Sequence, residues 1–202
     1  MKVGIMGGTF DPIHNGHLVT AEAVRDAIDL DEVLFIPSAR PPHKRDKNVT
    51  SPEHRLAMTV LATCSHPNFR VSTIEIMRTG PSYAVDTIDA LKKEFGGGTE
   101  FYFILGADAA LELSTWHHAQ ELIEKCTFIA ATRQGTDIDI ATVEAQFGEV
   151  GHGHILRVET PKIEISSTDI RDKIKSGHSI KYLVPDSVEA YIFKEQLYYD
   201  DR

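Results

Sequence analysis

The amino-acid sequence predicts an α/β protein built on a doubly wound, mainly parallel sheet with helices on both faces and a short helical C-terminal part. Three observations predict it. Short apolar runs alternate with helical stretches along the chain, the pattern of strand–helix–strand crossovers. The first run passes straight into a glycine-bearing turn, "GGTFDPIHNGH" (7–17), ahead of an amphipathic helix. At 202 residues, 42% hydrophobic and 25% charged, the chain supports one sizeable core better than two cramped ones. A single domain over 1–202 is therefore expected, with 165–202 as its C-terminal helical segment.

Each element follows from local pattern. "KVGIM" (2–6) reads as a buried strand, and "HLVTAEAVRDAI" (17–28) as a helix with Leu18, Ala21, Val24 and Ile28 on one face. "EVLFIP" (32–37) is a strand stopped by Pro37. "PEHRLAMTVLATC" (52–64) is a helix with Pro52 at its start, where a missing N–H costs nothing. "FRVSTIEI" (69–76) alternates like a strand, and "SYAVDTIDALKKEF" (82–95) returns to helical spacing before Gly96–Gly98. "EFYFILG" (100–106) and "TFIAATR" (127–133) are strands around a helix, "HHAQELIEKC" (117–126). "TVEAQFGEV" (142–150) and "HILRVE" (154–159) repeat the helix–strand pair, and "STDIRDKIKSG" and "DSVEAYIFKEQLYY" are closing helices. That order is Rossmann-like.

Composition narrows the function. A net charge of −9 argues against a sequence-independent grip on nucleic acid, which needs a basic face. A small anionic ligand stays compatible, because a few local cations can hold one. Cys64 and Cys126 lie in apolar contexts outside any C-x-x-C pair, so both are expected to be buried, reduced thiols. No run approaches membrane-spanning length and no signal-like segment opens the chain, so a cytoplasmic protein without a membrane partner is expected. A homo-oligomer is compatible with the sequence, which does not read out its own assembly. The loop "SARPPHKRDKNVTSP" (38–52) is expected to carry function, since open α/β sheets bind ligands beyond strand C-termini.

The first turn suits phosphate. Gly7 and Gly8 let the backbone come close to a ligand, Asp11-Pro12 makes a turn, and Asn15 is the expected N-cap of the helix that Gly16 and His17 begin. A helix N-terminus behind such a turn offers N–H groups and a positive dipole end. His14 and His17, three apart, can reach one ligand, or they can bind a metal, although no third ligand of matching spacing is evident. The turn is neither G-x-x-x-x-G-K-[ST] nor G-x-G-x-x-G. "ISSTDIR" (165–171) opens a helix with Ser166 and Asp169 in a capping-box-like pair. That leaves Arg171 unexplained; with Thr168 it can converge on phosphate oxygens.

"GGTFDPIHNGH" resembles the nucleotidyltransferase signature that ends in H-x-G-H, and "ISSTDIR" resembles that superfamily's second motif. Between them, "PSARPPHK" (37–44), "GPSYAVDTI" (80–88), "GADAALELSTWH" (106–117) and "ATRQG" (131–135) are similar to the bacterial nicotinate-nucleotide adenylyltransferase family over nearly the whole length. The resemblance implies adenylyl transfer from ATP to nicotinate mononucleotide, with pyrophosphate leaving. It implies catalysis by His14, His17 and Arg171, which steady charge on the phosphates. ATP is expected to meet Gly7, Gly8, Thr9, Phe10, Gly106, Asp108, Ser166, Ser167 and Thr168 besides these three. Nicotinate mononucleotide is expected to meet His43, Lys44, Thr87, Trp116 and Arg133, with Trp116 stacked on the pyridine ring and Thr87 near its carboxylate. Trp116 can equally be a core residue, and Asp108 can be a helix cap as well as a ribose ligand.

An incoming phosphate is already anionic and needs no general base, so positioning and charge neutralisation are the expected means of catalysis. Mg²⁺ is the expected cofactor, held by phosphates and water, with no metal ligand from protein side chains. Phosphopantetheine adenylyltransferases, cytidylyltransferases and flavin adenylyltransferases are rivals; the first two do not match "GADAALELSTWH" or "PPHK". A non-catalytic nucleotide-binding regulator is a further alternative, disfavoured because both motif histidines and the arginine are present.

Overall fold

The computed structural model describes residues 1–39, 49–133 and 138–199. Six strands, β1 (Lys2–Gly8), β2 (Glu32–Pro37), β3 (Phe69–Val71), β4 (Glu100–Gly106), β5 (Thr127–Arg133) and β6 (Ile155–Thr160), form one parallel sheet in the order β3-β2-β1-β4-β5-β6. β1 sits centrally, with Ile5 opposite Leu34 on one side and Phe103 on the other. The chain reverses direction across the sheet between β1 and β4, which opens a crevice beyond their C-terminal ends.

Strand pleating sorts side chains into two cores. Val3, Ile5, Leu34, Ile36, Phe101, Phe103 and Phe128 face one side, where they meet α3 (Ala84–Phe95), α5 (Ala119–Ile123) and α6 (Ile140–Ala145). Met6, Val33, Phe35, Ile104, Ile129 and Val158 face the other, against α1 (Asn15–Ala27), α2 (Pro52–Thr63), α7 (Ser167–Lys175) and α8 (Asp186–Lys194). Successive residues point to opposite faces and both faces are covered, so these strands read as unbroken apolar runs.

Several elements are shorter than their pattern suggests. "FRVSTIEI" pairs only over Phe69–Val71: the Ser72 hydroxyl captures the N–H of Ile74 at 3.3 Å and turns the chain. The helix expected over 117–126 is confined to α5, because His118 takes a left-handed φ of 53° just before it. α6 gives way to a 3-10 turn at Gly148–Gly151, where Gly148 has φ 64°. A short helix that only the cap reading of Asp108 implies, α4 (Ala107–Leu111), follows β4 directly; its N-cap is Gly106, with Asp108 inside the first turn and no side-chain cap. Of the two cysteines only Cys126 is buried; Cys64, at the C-cap of α2, is exposed, contrary to expectation. Among the described residues no helix is long and apolar enough to cross a membrane.

Candidate active site

The first motif leaves β1 at Gly8 and enters α1 through a tight turn with a cis Asp11-Pro12 bond. Phe10, at φ 50°, folds its ring back over the strand end: a Cβ on Gly8 would stand 2.9 Å from that ring. Gly16 clears the His14 ring in the same way, at 3.0 Å from Nδ1. Helix α1 starts one residue earlier than expected, at Asn15, with His14 in the N-cap position. The reason is tertiary. Asn15 donates its N–H to Leu183 O at 2.9 Å and its side-chain amide to Tyr182 O at 2.7 Å, so its side chain is not available to cap.

His14 and His17 stack, ring centroids 3.7 Å apart, and Phe10 meets His17 edge-on at 5.1 Å. His17 Nδ1 accepts the His14 N–H at 3.2 Å, which leaves the proton of a neutral ring on Nε2. Burial, and then the nearness of His14, hold the His17 pKa well below its ordinary value. His17 is thus a fixed neutral hydrogen-bond donor in the unliganded protein.

The second motif docks on the first. Ser166 caps α7 by accepting the Asp169 N–H at 3.1 Å. Ser167 Oγ donates to Pro12 O at 2.9 Å, across 155 residues. Arg171 donates from Nη1 to Asp11 O at 2.6 Å and from Nη2 to the Thr168 hydroxyl at 3.2 Å. These bonds bring the starts of α1 and α7 together with both histidines and Arg171. The Asp11 carboxylate is spent on structure: Tyr198 donates to one oxygen at 2.8 Å and the Thr50 N–H to the other at 3.3 Å.

Beside this cradle lies a cleft of about 520 Å³ lined by Gly7, Gly8, Thr9, Glu75, Tyr83 and Trp116, among others. Gly106 also lines it, at the end of β4. Trp116 packs edge-on against Phe103 at 5.9 Å, at the margin of one core, and is half-buried among the residues that line the cleft. Asp108 stands exposed in the first turn of α4 and is not one of the cleft-lining residues. Thr87 departs from its expected place. It is 1% exposed and donates its hydroxyl to Glu75 Oε1 at 2.7 Å, behind the wall that Ser82, Tyr83 and Ala84 form. The backbone of Arg133 closes β5 opposite Thr160. His43 and Lys44 lie outside the described residues.

Two residues here carry no motif. Arg55, 1% exposed, donates to Thr9 O at 2.7 Å, Thr50 O at 2.8 Å and Ala39 O at 3.3 Å. It ties the turn after β1 to Ala39 and to Thr50. The one signal for it in the sequence is its spacing, on the helical face shared with Met58, Thr59 and Ala62. Glu75, 8% exposed, has no comparable signal.

A parallel sheet of this order, with a histidine turn and a serine–arginine helix start meeting over its central crevice, defines a nucleotidyltransferase of the cytidylyltransferase-like family. The chain belongs to that family, which matches it over residues 5–173. Among its curated relatives are probable nicotinate-nucleotide adenylyltransferases. The chain is 52% identical to a probable nicotinate-nucleotide adenylyltransferase of Thermoanaerobacter sp. (strain X514), covering 100% of this chain and 96% of the relative. It is 51% identical to one from Moorella thermoacetica, covering 98% and 91%. The fold is similar to that of the Plasmodium falciparum nicotinic acid mononucleotide adenylyltransferase complexed with NaAD, with TM-score 0.79, 22% identity and coverage of 98% and 97%.

Proposed function

We propose that this protein transfers the adenylyl group of ATP to nicotinate mononucleotide, giving nicotinate adenine dinucleotide and pyrophosphate. The observation that carries the reading is the junction of the two motifs, Ser167 on Pro12 O and Arg171 on Asp11 O, beside a cleft walled by the only tryptophan. The triphosphate lies over the starts of α1 and α7, against Gly7–Phe10 and Ser166–Thr168. The pyridine ring enters the cleft and stacks on Trp116.

An oxygen of the mononucleotide phosphate attacks the α-phosphorus in line. The new O–P bond forms as the bond to the β-phosphate oxygen breaks, and pyrophosphate leaves with the electron pair. No proton has to move. His17 presents Nε2–H, and Arg171 holds two of its five N–H donors on Asp11 O and Thr168, leaving others for phosphate oxygens. His14 stands stacked beside His17. Donors held in place before substrate arrives need no reorganisation as charge shifts to the leaving group. His43, Lys44 and Arg133 remain the proposed contacts of the mononucleotide, and Asp108 of a ribose.

Mg²⁺ fits as a companion of the triphosphate, held by phosphate oxygens and water, since both oxygens of the Asp11 carboxylate beside the turn are engaged by Tyr198 and Thr50. Bound with ATP, it supplies neutralisation of phosphate charge. The chain is read as one domain, with 165–202 contributing the second half of the cradle, as a cytoplasmic enzyme without nucleic-acid or membrane partners.

The test is pyrophosphate release with ATP and Mg²⁺, offering nicotinate mononucleotide, nicotinamide mononucleotide or phosphopantetheine in parallel. Fast release with the first alone is expected. Release with none of them, from protein that binds ATP, would refute the acceptor or the catalysis.

A further inference from the structure

The cleft proposed for a carboxylate-bearing ring has a carboxylate of its own in the wall. Glu75 lines it while only 8% exposed, and a buried acid facing an acidic substrate is costly unless it is engaged and balanced. Its partners show what engages it. The Thr87 hydroxyl donates to Oε1 at 2.7 Å, and Ser82 lines the same cleft. Ser82 Oγ in turn accepts the Ala39 N–H at 3.2 Å, at the end of the strand-to-loop passage after β2. Arg78 completes the set, donating from Nη2 to the Thr87 hydroxyl at 3.2 Å and to Tyr83 O at 3.4 Å. Burial pushes the Glu75 carboxyl above its ordinary range, while the Thr87 and Ser82 hydroxyls and the nearby Arg78 charge pull it back.

Every one of these bonds ends on the start of α3 or on the chain that touches it. α3 begins at Ala84 with Tyr83 as N-cap and no side-chain cap of its own, so its opening residues depend on support from behind. Ser82, Tyr83 and Ala84, at and just before the start of α3, also form cleft wall. Thr87, one turn further on, therefore acts as a hub of that support.

Resting on the reading of the cleft as the nicotinate mononucleotide site, we propose that Glu75 is a positioning residue for that substrate: through Thr87, which Arg78 also holds, it sets the wall of the cleft at the start of α3. The residue touches no reacting atom. It acts on acceptor binding and leaves the ATP side of the cradle alone.

The experiment uses the single tryptophan, Trp116, as its reporter. Nicotinate mononucleotide is titrated into the full-length protein by Trp fluorescence, and steady-state constants are measured for both substrates. Glu75→Ala is expected to weaken mononucleotide binding and raise its KM at least tenfold, with ATP KM and kcat changed less than threefold. Glu75→Gln keeps an acceptor for the Thr87 hydroxyl and is expected to restore the wild-type KM within threefold. Should Glu75→Ala fail to fold, Thr87→Val removes the hub hydroxyl at nearly constant volume and is expected to give the same acceptor-only defect. Wild-type binding with an unchanged Glu75→Ala, or equal losses on both substrates, overturns the inference alone. Absence of mononucleotide binding by the wild type overturns the reading of the cleft, and the inference with it.

Discussion

Replacing Arg55 with methionine tests the packing beneath the phosphate turn. The substitution keeps most of the side-chain volume and deletes the donors that serve Thr9 O, Thr50 O and Ala39 O at 2.7, 2.8 and 3.3 Å. Hydrogen bonds from a charged donor are worth about 1.5–3 kcal/mol each, so the two short ones account for roughly 3–6 kcal/mol and the long one for little. Part of that returns, because methionine relieves the desolvation of a buried guanidinium, a cost of several kcal/mol per ion. The carbonyls stay where they are and lose their partner, so the return is incomplete. We expect a net loss of about 3 kcal/mol, which for a chain of this length lowers Tm by roughly 6–12 °C. Urea unfolding followed by circular dichroism measures it directly. Arg55→Lys, with one ammonium in place of a fork, is expected to recover less than half. A methionine variant within about 0.5 kcal/mol of wild type, the spread of ordinary surface substitutions, would refute the reasoning, because the carbonyls would then be satisfied without Arg55.

The remaining predictions concern the histidine turn and the aromatic wall. His17→Ala is expected to lower kcat by about 10²–10³-fold, the usual cost of losing one preorganised donor, while the chain still melts cooperatively; a variant that simply unfolds would make the residue structural. Because the folded-state pKa of His17 lies well below 6.5, the unfolded chain takes up the proton first as pH falls. Stability contributed at neutral pH is lost from about pH 6.5 downward, until the folded-state pKa is reached. His17→Gln is therefore expected to flatten the stability profile between pH 7 and 5, measured by urea midpoints, and an unchanged slope would refute the assignment. Trp116→Ala is expected to raise the mononucleotide KM roughly tenfold or more, as loss of about 1–3 kcal/mol of stacking requires, with ATP KM nearly unchanged; equal effects on both would defeat the stacking role.

What the sequence discloses and what it hides divide along the range of the interactions. β1, β2, β4, β5 and β6 are legible because a strand buried on both faces is an apolar run, and nothing distant is needed to see it. The two motifs are legible as well, since glycine, histidine, serine and arginine stand at fixed offsets. The shortened α5 and α6 are not, because a left-handed His118 or Gly148 overrides an otherwise helical spacing. Asn15 looks like an N-cap until Tyr182 and Leu183 claim its polar groups. Arg55 and Glu75 are the clearest omissions. Their partners are backbone carbonyls and hydroxyls, which leave no compositional trace, and only the apolar spacing around Arg55 hints that it points inward. Thr87 belongs to a recognisable segment, yet its hydroxyl is turned to Glu75 and away from the cleft.

The joint between the two motifs also sets an order of events while the chain is being made. The sheet has its last partner once Thr160 exists, whereas the carbonyls of Pro12 and Asp11 wait a further stretch for Ser167 and Arg171, and the Asp11 carboxylate waits for Tyr198, 187 residues downstream of it. Chains assemble from the N-terminus as they leave the ribosome. A nascent or prematurely stopped polypeptide ending near residue 160 would thus own every strand of the sheet, but would lack α7 and α8 from one of its two cores and the second motif from the joint. The joint is complete only with the final residues, so a copy stopped short of Tyr198, just past α8, lacks a partner that the first motif uses.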